Sequence, residues 1–270
     1  MSEQGVKPSL PKNWFIRRGV GPILTTAVHA GHQIRDELKP YLEADDTIYR
    51  REEDPLTDIL AGTGDHIFCC YNSRFEVDLN RSRELALATN PDKTWGLRIW
   101  KSQPPKDIVE RSLQQHDAFY NLMKNWLEEL IAQHRNVLVL DLHSYNHRRA
   151  GPNALPAAAE LNPDVDLGVT TLNHNRFKSV VDALTTGLKS TACQGKTLDV
   201  RANVRYPDGG YWPEWVFAHY PDNICTVTLE YKKFYMDEWT SQADLAMVDD
   251  LRSNLSNAIQ VAREALIQCN

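Results

Sequence analysis

Two histidines, His29 and His143, stand at the ends of apolar stretches, in "TTAVHAGH" and "NVLVLDLHSYNHRR". Neutral imidazole is the commonest metal ligand in proteins. An acidic group at 51–58, "REEDPLTD", lies between them in the sequence. One carboxylate from that group would complete a set of two histidines and one carboxylate, which is typical of a catalytic zinc with a coordination position open to water. A buried histidine bonded to the backbone and an acidic helix cap before Pro55 are the alternatives that need no metal.

The stretch "NSRFEVDLNRSR" (72–83) places several groups that bind anions or pair with cations close together. Planar guanidinium groups suit two-point capture of a carboxylate or stabilisation of an oxyanion. The alternative is an exposed edge strand whose surface salt bridges contribute little. The residues in question are Arg74, Asp78, Asn80 and Arg81.

Glu230 ends another apolar run, "ICTVTLEY" (224–231). A carboxylate with a raised pKa at that position would act as a general base on an attacking water. A purely structural glutamate at the end of a strand is the alternative.

The elements that must position these side chains alternate along the chain. Apolar runs predict strands at 21–31, 66–72, 136–143 and 224–231, and the unbroken run before His143 favours a parallel strand that is buried on both faces. Ligands of such α/β sheets bind beyond the carboxyl ends of the strands, where these polar side chains stand. Helical spacing predicts helices at 105–135, 175–190 and 241–268, and abundant Pro, Gly, Asn and Asp predict long loops at 150–165 and 201–223.

Composition narrows the class of protein. The 270 residues, 42% of them hydrophobic, predict one domain (1–270), with 1–20 as a poorly ordered or extended N-terminal arm. A net charge of −6 with no basic cluster argues against a nucleic-acid partner. No stretch has the length and apolarity of a signal peptide or a membrane span, so we expect a cytoplasmic protein without a membrane partner. The five cysteines match no disulfide or zinc pattern and are expected to be reduced; the oligomeric state is not predicted.

Taken in order, "VHAGH", "SRFEVDLNR", "LDLHSYNHRR", "PDGGY" and "LEYKKFYM" resemble the N-formylglutamate amidohydrolase family from about residue 20 to residue 236. That family is similar to the aspartoacylase and succinylglutamate desuccinylase group and to zinc carboxypeptidases. The resemblance implies an α/β fold with a mixed, mostly parallel central sheet flanked by helices, of the phosphorylase/hydrolase-like, zinc-carboxypeptidase-like kind. It also implies one zinc ion per chain and hydrolysis of an amide.

The resemblance further implies roles for single residues. His29, His143 and Asp54 would bind zinc, with Glu53 as the alternative carboxylate. The related groups have a glutamate three residues after the first histidine, where this chain has His32, so the identity of the carboxylate ligand stays open. Further roles follow for Glu230 as catalytic base, Arg74 at the oxyanion, and Asn80 and Arg81 at a substrate carboxylate.

Three more residues are expected to touch the substrate: Tyr145, and Gly210 and Tyr211 in a loop at 207–212 that would close over it. A simple turn and a loop-surface tyrosine are the alternatives. The expected reaction converts N-formyl-L-glutamate to glutamate and formate, as in histidine degradation and amino-acid catabolism, so the expected partner is a small N-acyl amino acid. The alternatives are a metallo-carboxypeptidase or another N-acyl amino acid deacylase, and a non-catalytic binding protein that retains the pocket.

Overall fold

The computed structural model describes residues 13–43 and 45–269, and their strands form one seven-stranded sheet in the order β1-β3-β2-β4-β7-β5-β6. The strands are β1 (Trp14–Arg17), β2 (Ile23–Ala27), β3 (His66–Cys70), β4 (Val137–Tyr145), β5 (Val165–Gly168), β6 (Val200–Ala202) and β7 (Ile224–Lys232). Four of the six neighbouring pairs are parallel, and the pairs β1–β3 and β5–β7 are antiparallel. The predicted mixed, mostly parallel sheet is confirmed.

Helices cover both faces of this sheet, which explains why its central strands have no polar side. The helices are α1 (Asp46–Glu52), α2 (Thr57–Ala61), α3 (Lys106–His134), α4 (His174–Ser190), α5 (Tyr211–His219) and α6 (Leu245–Gln268). Leu138 and Leu140 of β4 pack with α2, α4 and α6, whereas Val137 and Val139 pack with α3 and α5. Alternate residues of one strand therefore belong to two separate cores.

Helices α4 and α6 approach each other closely because a glycine lies at their contact. A Cβ atom on Gly187 would lie 2.5 Å from the Cα atom of Ala258. Atoms cannot come so close, so any larger side chain at Gly187 would push the two helices apart. This contact helps to fix the layer of helices on that face of the sheet.

The prediction of a loop over 201–223 was wrong, because residues 211–219 form helix α5. Its Pro213 lies in the first turn, where a missing backbone N–H is tolerated, so a proline-rich sequence still forms a helix. The predicted loop at 150–165 contains one short 3-10 turn and the first residue of β5.

Part of the expected N-terminal arm, residues 1–12, lies outside the described residues. Trp14–Arg17 extends the sheet by pairing with β3. In the described part of the chain, no helix is both long and apolar enough to cross a membrane.

Candidate metal centre and active site

The polar side chains predicted to do chemistry meet at the carboxyl ends of the parallel strands. His29 follows β2 by two residues, and His143 and Glu230 lie near the ends of β4 and β7. His143 and Glu230 are paired across these two strands, so their positions are fixed by the sheet itself. All three side chains are buried.

Asp54 reaches this place through the loop between α1 and α2. Its backbone N–H donates to the carbonyl of His29 at 3.0 Å. The buried ammonium of Lys233 donates to the carbonyls of Arg51 and Glu53 at 2.6 and 2.7 Å. The loop is therefore fastened to both β2 and the end of β7, which holds the Asp54 side chain beside the two histidines.

The side chains of His29, Asp54 and His143 form a buried group whose ligand atoms lie within 4.8 Å of one another. One oxygen, Oδ2 of Asp54, lies 3.4 Å from Nδ1 of His29 and 3.0 Å from Nδ1 of His143. Ligands at the usual zinc distances are about 3.3 Å apart in a tetrahedral site, so these separations fit a metal ion. Nδ1 of His29 is buried and has no hydrogen-bond partner among the described residues. This group could bind a metal ion.

The opposite nitrogen of each histidine binds a carboxylate. Nε2 of His29 donates to Asp78, and Nε2 of His143 donates to Asp141, both at 2.7 Å. Such a bond fixes the orientation of each ring and directs Nδ1 towards Asp54, where a metal ion would bind, as is usual for histidine ligands. The carboxylates of Asp141 and Asp54 outweigh the effect of burial and raise the pKa of His143 well above its usual range. The centre of the group therefore attracts positive charge.

Glu53, the alternative ligand, lies outside this group. Its carboxylate binds Nδ1 of His32 at 2.6 Å, and Nε2 of His32 binds Asp46 at the same distance. The structure thus brings Asp54, but neither Glu53 nor His32, to the two histidines.

Glu230 lies beside the group without joining it. Burial, and then the negative charge of Asp54, raise the pKa of Glu230 to about 8, although the positive charges of His143 and Arg74 act in the opposite direction. A carboxyl group with such a pKa can both accept and return a proton near neutral pH.

A cavity of about 200 Å³ opens onto these side chains. Most of the residues predicted for the site line it: His29, Asp54, Arg74, Asn80, His143, Tyr145, Gly210 and Glu230. Arg81 and Tyr211 do not; they line a neighbouring cavity of about 500 Å³. We call these two spaces the inner and the outer cavity.

Asn80 and Gly210 connect the loop after β3 with the loop after β6. The Asn80 amide donates to the carbonyl of Gly209 at 2.8 Å and accepts from the backbone N–H of Trp212 at 2.8 Å. Gly210 has φ 99°, and a Cβ atom there would lie 2.6 Å from the Asn80 amide nitrogen. Only glycine fits at this position without strain.

Sequence reasoning did not assign several residues of the inner cavity. Arg149 lines the cavity and donates to Glu52 at 3.2 Å. Other residues that line it are Glu52, Trp95, Tyr206, Asp208 and Lys233. Of the two carboxylates behind the histidines, the sequence indicates Asp141 as a neighbour of His143, because it stands two positions earlier and points to the same face of the strand, but it does not indicate Asp78 as the partner of His29.

The fold and this centre define an α/β protein with a buried His-Asp-His group that could bind a metal ion at the carboxyl edge of its sheet. Residues 21–236 match the model of the N-formylglutamate amidohydrolase family, and the chain belongs to that family of amidohydrolases.

Two solved structures resemble most of the chain, with TM-scores above 0.6. An N-formylglutamate amidohydrolase from Ralstonia eutropha is 18% identical, with a TM-score of 0.69 over 93% of this chain and 99% of its own. A gene product from Agrobacterium tumefaciens is also 18% identical, with a TM-score of 0.65 over 92% and 95%. A metallo-carboxypeptidase from Burkholderia cenocepacia is 12% identical, with a TM-score of 0.40 over 92% and 58%. No protein with a curated description matched the chain.

Proposed function

We propose that the protein is a zinc-dependent hydrolase that cleaves the amide bond of an N-acyl amino acid, with N-formyl-L-glutamate as the expected substrate. The observation that carries this proposal is the convergence of Nδ1 of His29, Nδ1 of His143 and Oδ2 of Asp54 in the cavity that also holds Glu230. Membership of the amidohydrolase family supports the reaction type. Zinc held by the three side chains would polarise the amide carbonyl and make the attacking water more acidic.

Glu230 performs the proton transfers in this proposal. Its carboxylate accepts a proton from the attacking water and later returns it to the nitrogen of the leaving amine. Burial suits Glu230 to this task, because it raises the pKa of the side chain towards neutrality.

Arg74 provides positive charge for the oxygen of the amide as negative charge develops there. Its guanidinium lines the inner cavity and is held by Asp78 at 3.0 Å, so it is oriented before the substrate arrives. Hydrogen-bond donors that are oriented in advance are among the largest contributors to catalysis of this kind.

A substrate carboxylate has two candidate partners. Arg149 lines the inner cavity itself, and its side chain is 43% exposed, so it can turn towards a ligand. Arg81, the residue that the sequence motif favours, lies in the outer cavity. We assign the carboxylate of a short substrate to Arg149 and keep Arg81 for ligands that extend into the outer cavity.

The test is a hydrolysis panel on the zinc-loaded protein with measured metal content. Amine release is followed for N-formyl-, N-acetyl- and N-succinyl-glutamate, for N-formyl-leucine and for a peptide with a free C-terminus. The proposal expects the highest kcat/KM for an acidic N-acyl amino acid, and the Glu230→Gln variant serves as the inactive control. Faster cleavage of the peptide would favour a carboxypeptidase, and binding without any turnover would favour a non-catalytic protein.

A further inference from the structure

Trp95 lies at the boundary between the inner and the outer cavity, and we call this boundary the wall. It lines both spaces, and Asn80 is the other residue that they share. Asn80 is fixed by its bonds to the 209–212 backbone, so its substitution would disturb that backbone. The indole of Trp95 is the larger part of the wall and the part that can be tested by substitution. The metal group and Glu230 border the inner cavity, and Arg81, Tyr211 and Glu214 border the outer one.

Several interactions hold this indole in place. The guanidinium carbons of Arg74 and Arg81 lie 4.9 and 5.7 Å from its ring centre, within the range of cation-π attraction. Its backbone has φ 54°, a left-handed conformation that is unfavourable for tryptophan and persists only when its surroundings impose it. The preceding Thr94 is buried, and its hydroxyl donates to the carbonyl of Leu97 at 2.7 Å.

Because the inner cavity is small, the wall limits the size of the ligand that it can hold. About 200 Å³ is less than the ~300–1,000 Å³ of pockets that hold drug-sized ligands, whereas the two cavities joined would fall inside that range. A free N-acyl amino acid is a small ligand, and an N-acylated peptide that extends from the inner into the outer cavity would have to pass the position of the indole.

We propose that Trp95 determines the length of the substrate, so that the protein acts on free N-acyl amino acids and excludes N-acylated peptides. This proposal rests on the proposed function for the reaction but concerns the shape of the site. The wall lies between the inner cavity, which holds the group that would act on the amide, and the outer cavity, which is the larger of these two spaces.

The outer cavity contains an arginine that suits a ligand with a carboxylate. Arg81 binds Asp78 through Nε at 3.1 Å, its one ion pair within the described ranges, which leaves its two terminal nitrogens for a ligand. A guanidinium in this state suits a carboxylate. Removal of the indole should therefore admit longer ligands and favour those that carry a second carboxylate.

The test measures binding to zinc-loaded protein that carries Glu230→Gln, so that no ligand is consumed. Calorimetry compares N-formyl-glutamate, N-formyl-glutamyl-glutamate and N-formyl-glutamyl-glutamine in the presence and absence of Trp95→Ala. We expect the affinity for both dipeptides to rise by about tenfold or more relative to the short ligand, because discrimination by the shape of a pocket is worth about 10- to 200-fold. The acidic dipeptide should gain more, and Arg81→Gln added to Trp95→Ala should remove that difference.

Two further variants complete the test. Trp95→Phe keeps part of the wall and should give an intermediate change in the affinity ratio of long to short ligands. Trp239→Ala is the control, because Trp239 also stacks on an arginine, Arg51, but lines neither cavity. An equal affinity ratio of long to short ligands in wild type and Trp95→Ala, with unchanged thermal unfolding, would overturn the proposal. Tight binding of the dipeptides to the wild-type background would also overturn it. Failure of the proposed function shows itself separately, as absence of hydrolysis by the wild type of every member of the panel.

Discussion

Glu230 and His143 are direct neighbours across the parallel strands β7 and β4. One of these residues lies in the group that could bind a metal, and the other has its carboxyl group in the same cavity without belonging to that group. Because the sheet fixes their spacing, the proposed base and the proposed metal ligand cannot move apart when the loops move. The different roles proposed for these two residues lead to two separate predictions.

The first concerns Glu230→Gln, which preserves the shape of the side chain and removes its ability to accept a proton. We expect kcat to fall by about 10²- to 10⁴-fold, the usual contribution of general base catalysis, while zinc content stays near that of the wild type. The fall in activity of the wild type at low pH should disappear in the variant.

A cation at the metal site favours the charged carboxylate of Glu230, so the pKa seen in the pH profile of the wild type should lie below the value of about 8 in the metal-free site. Loss of zinc in parallel with activity would instead make Glu230 a ligand, and Glu129→Gln at the surface is the control.

The second concerns His143→Ala. Only His29 and Asp54 would remain as ligands, so we expect about one zinc per chain in the wild type and a large loss of affinity in the variant. Metal analysis after dialysis against a weak chelator measures this. His219→Ala, which replaces an exposed histidine, should keep its zinc. Full occupancy in His143→Ala would rule out the assigned site.

The third separates Arg149 from Arg81. If Arg149 holds the carboxylate of a short substrate, Arg149→Lys should raise KM for N-formyl-glutamate by about tenfold with little change in kcat, because an ammonium cannot form the two-point contact of a guanidinium. Arg81→Lys should change KM for the same substrate much less. Steady-state kinetics decide the question, and the reverse order would return the carboxylate to Arg81.

The fourth concerns stability and pH at Asp164, outside the metal site. Burial alone would raise the pKa of Asp164, but the ammonium groups of Lys196 and Lys232, at 2.7 and 2.8 Å, outweigh it and lower the pKa. A lowered pKa in the folded state stabilises the protein above the unfolded pKa, and this contribution is lost as the pH falls through the folded pKa. We expect Asp164→Asn to lower the free energy of unfolding by about 2–3 kcal/mol at pH 7, and by progressively less below about pH 4. Denaturant unfolding at several pH values measures this, and a difference that does not change with pH would contradict it.

Long, strongly patterned elements could be predicted from the sequence. The four apolar runs became β2, β3, β4 and β7, and the three helical patterns became α3, α4 and α6. Short elements carried too little pattern: β5 has four residues, and α5 combines Pro213 with bulky aromatic side chains that favour helices weakly. Their conformation depends on packing against β7 and Asn80, which no local pattern records.

The same distinction applies to the site. His29, His143 and Glu230 could be located because parallel strands bring their carboxyl ends together. The choice between Glu53 and Asp54 could not be made from spacing, because the two residues are adjacent in a loop and the bond from the Asp54 N–H to His29 decides which side chain turns inward. The position of Arg81 behind Trp95 was likewise beyond prediction, since it depends on a left-handed residue in a loop.

Asp54 and His143 are 89 residues apart in the chain, and the sheet brings them together. An unfolded chain therefore holds no preformed pair of ligands, unlike a protein whose ligands share one helix. Zinc should consequently stabilise the folded state by mass action, raising the midpoint of thermal unfolding as free zinc increases. The ion should leave the rate of refolding unchanged and slow only unfolding, because the centre can form only after β2 and β4 have paired.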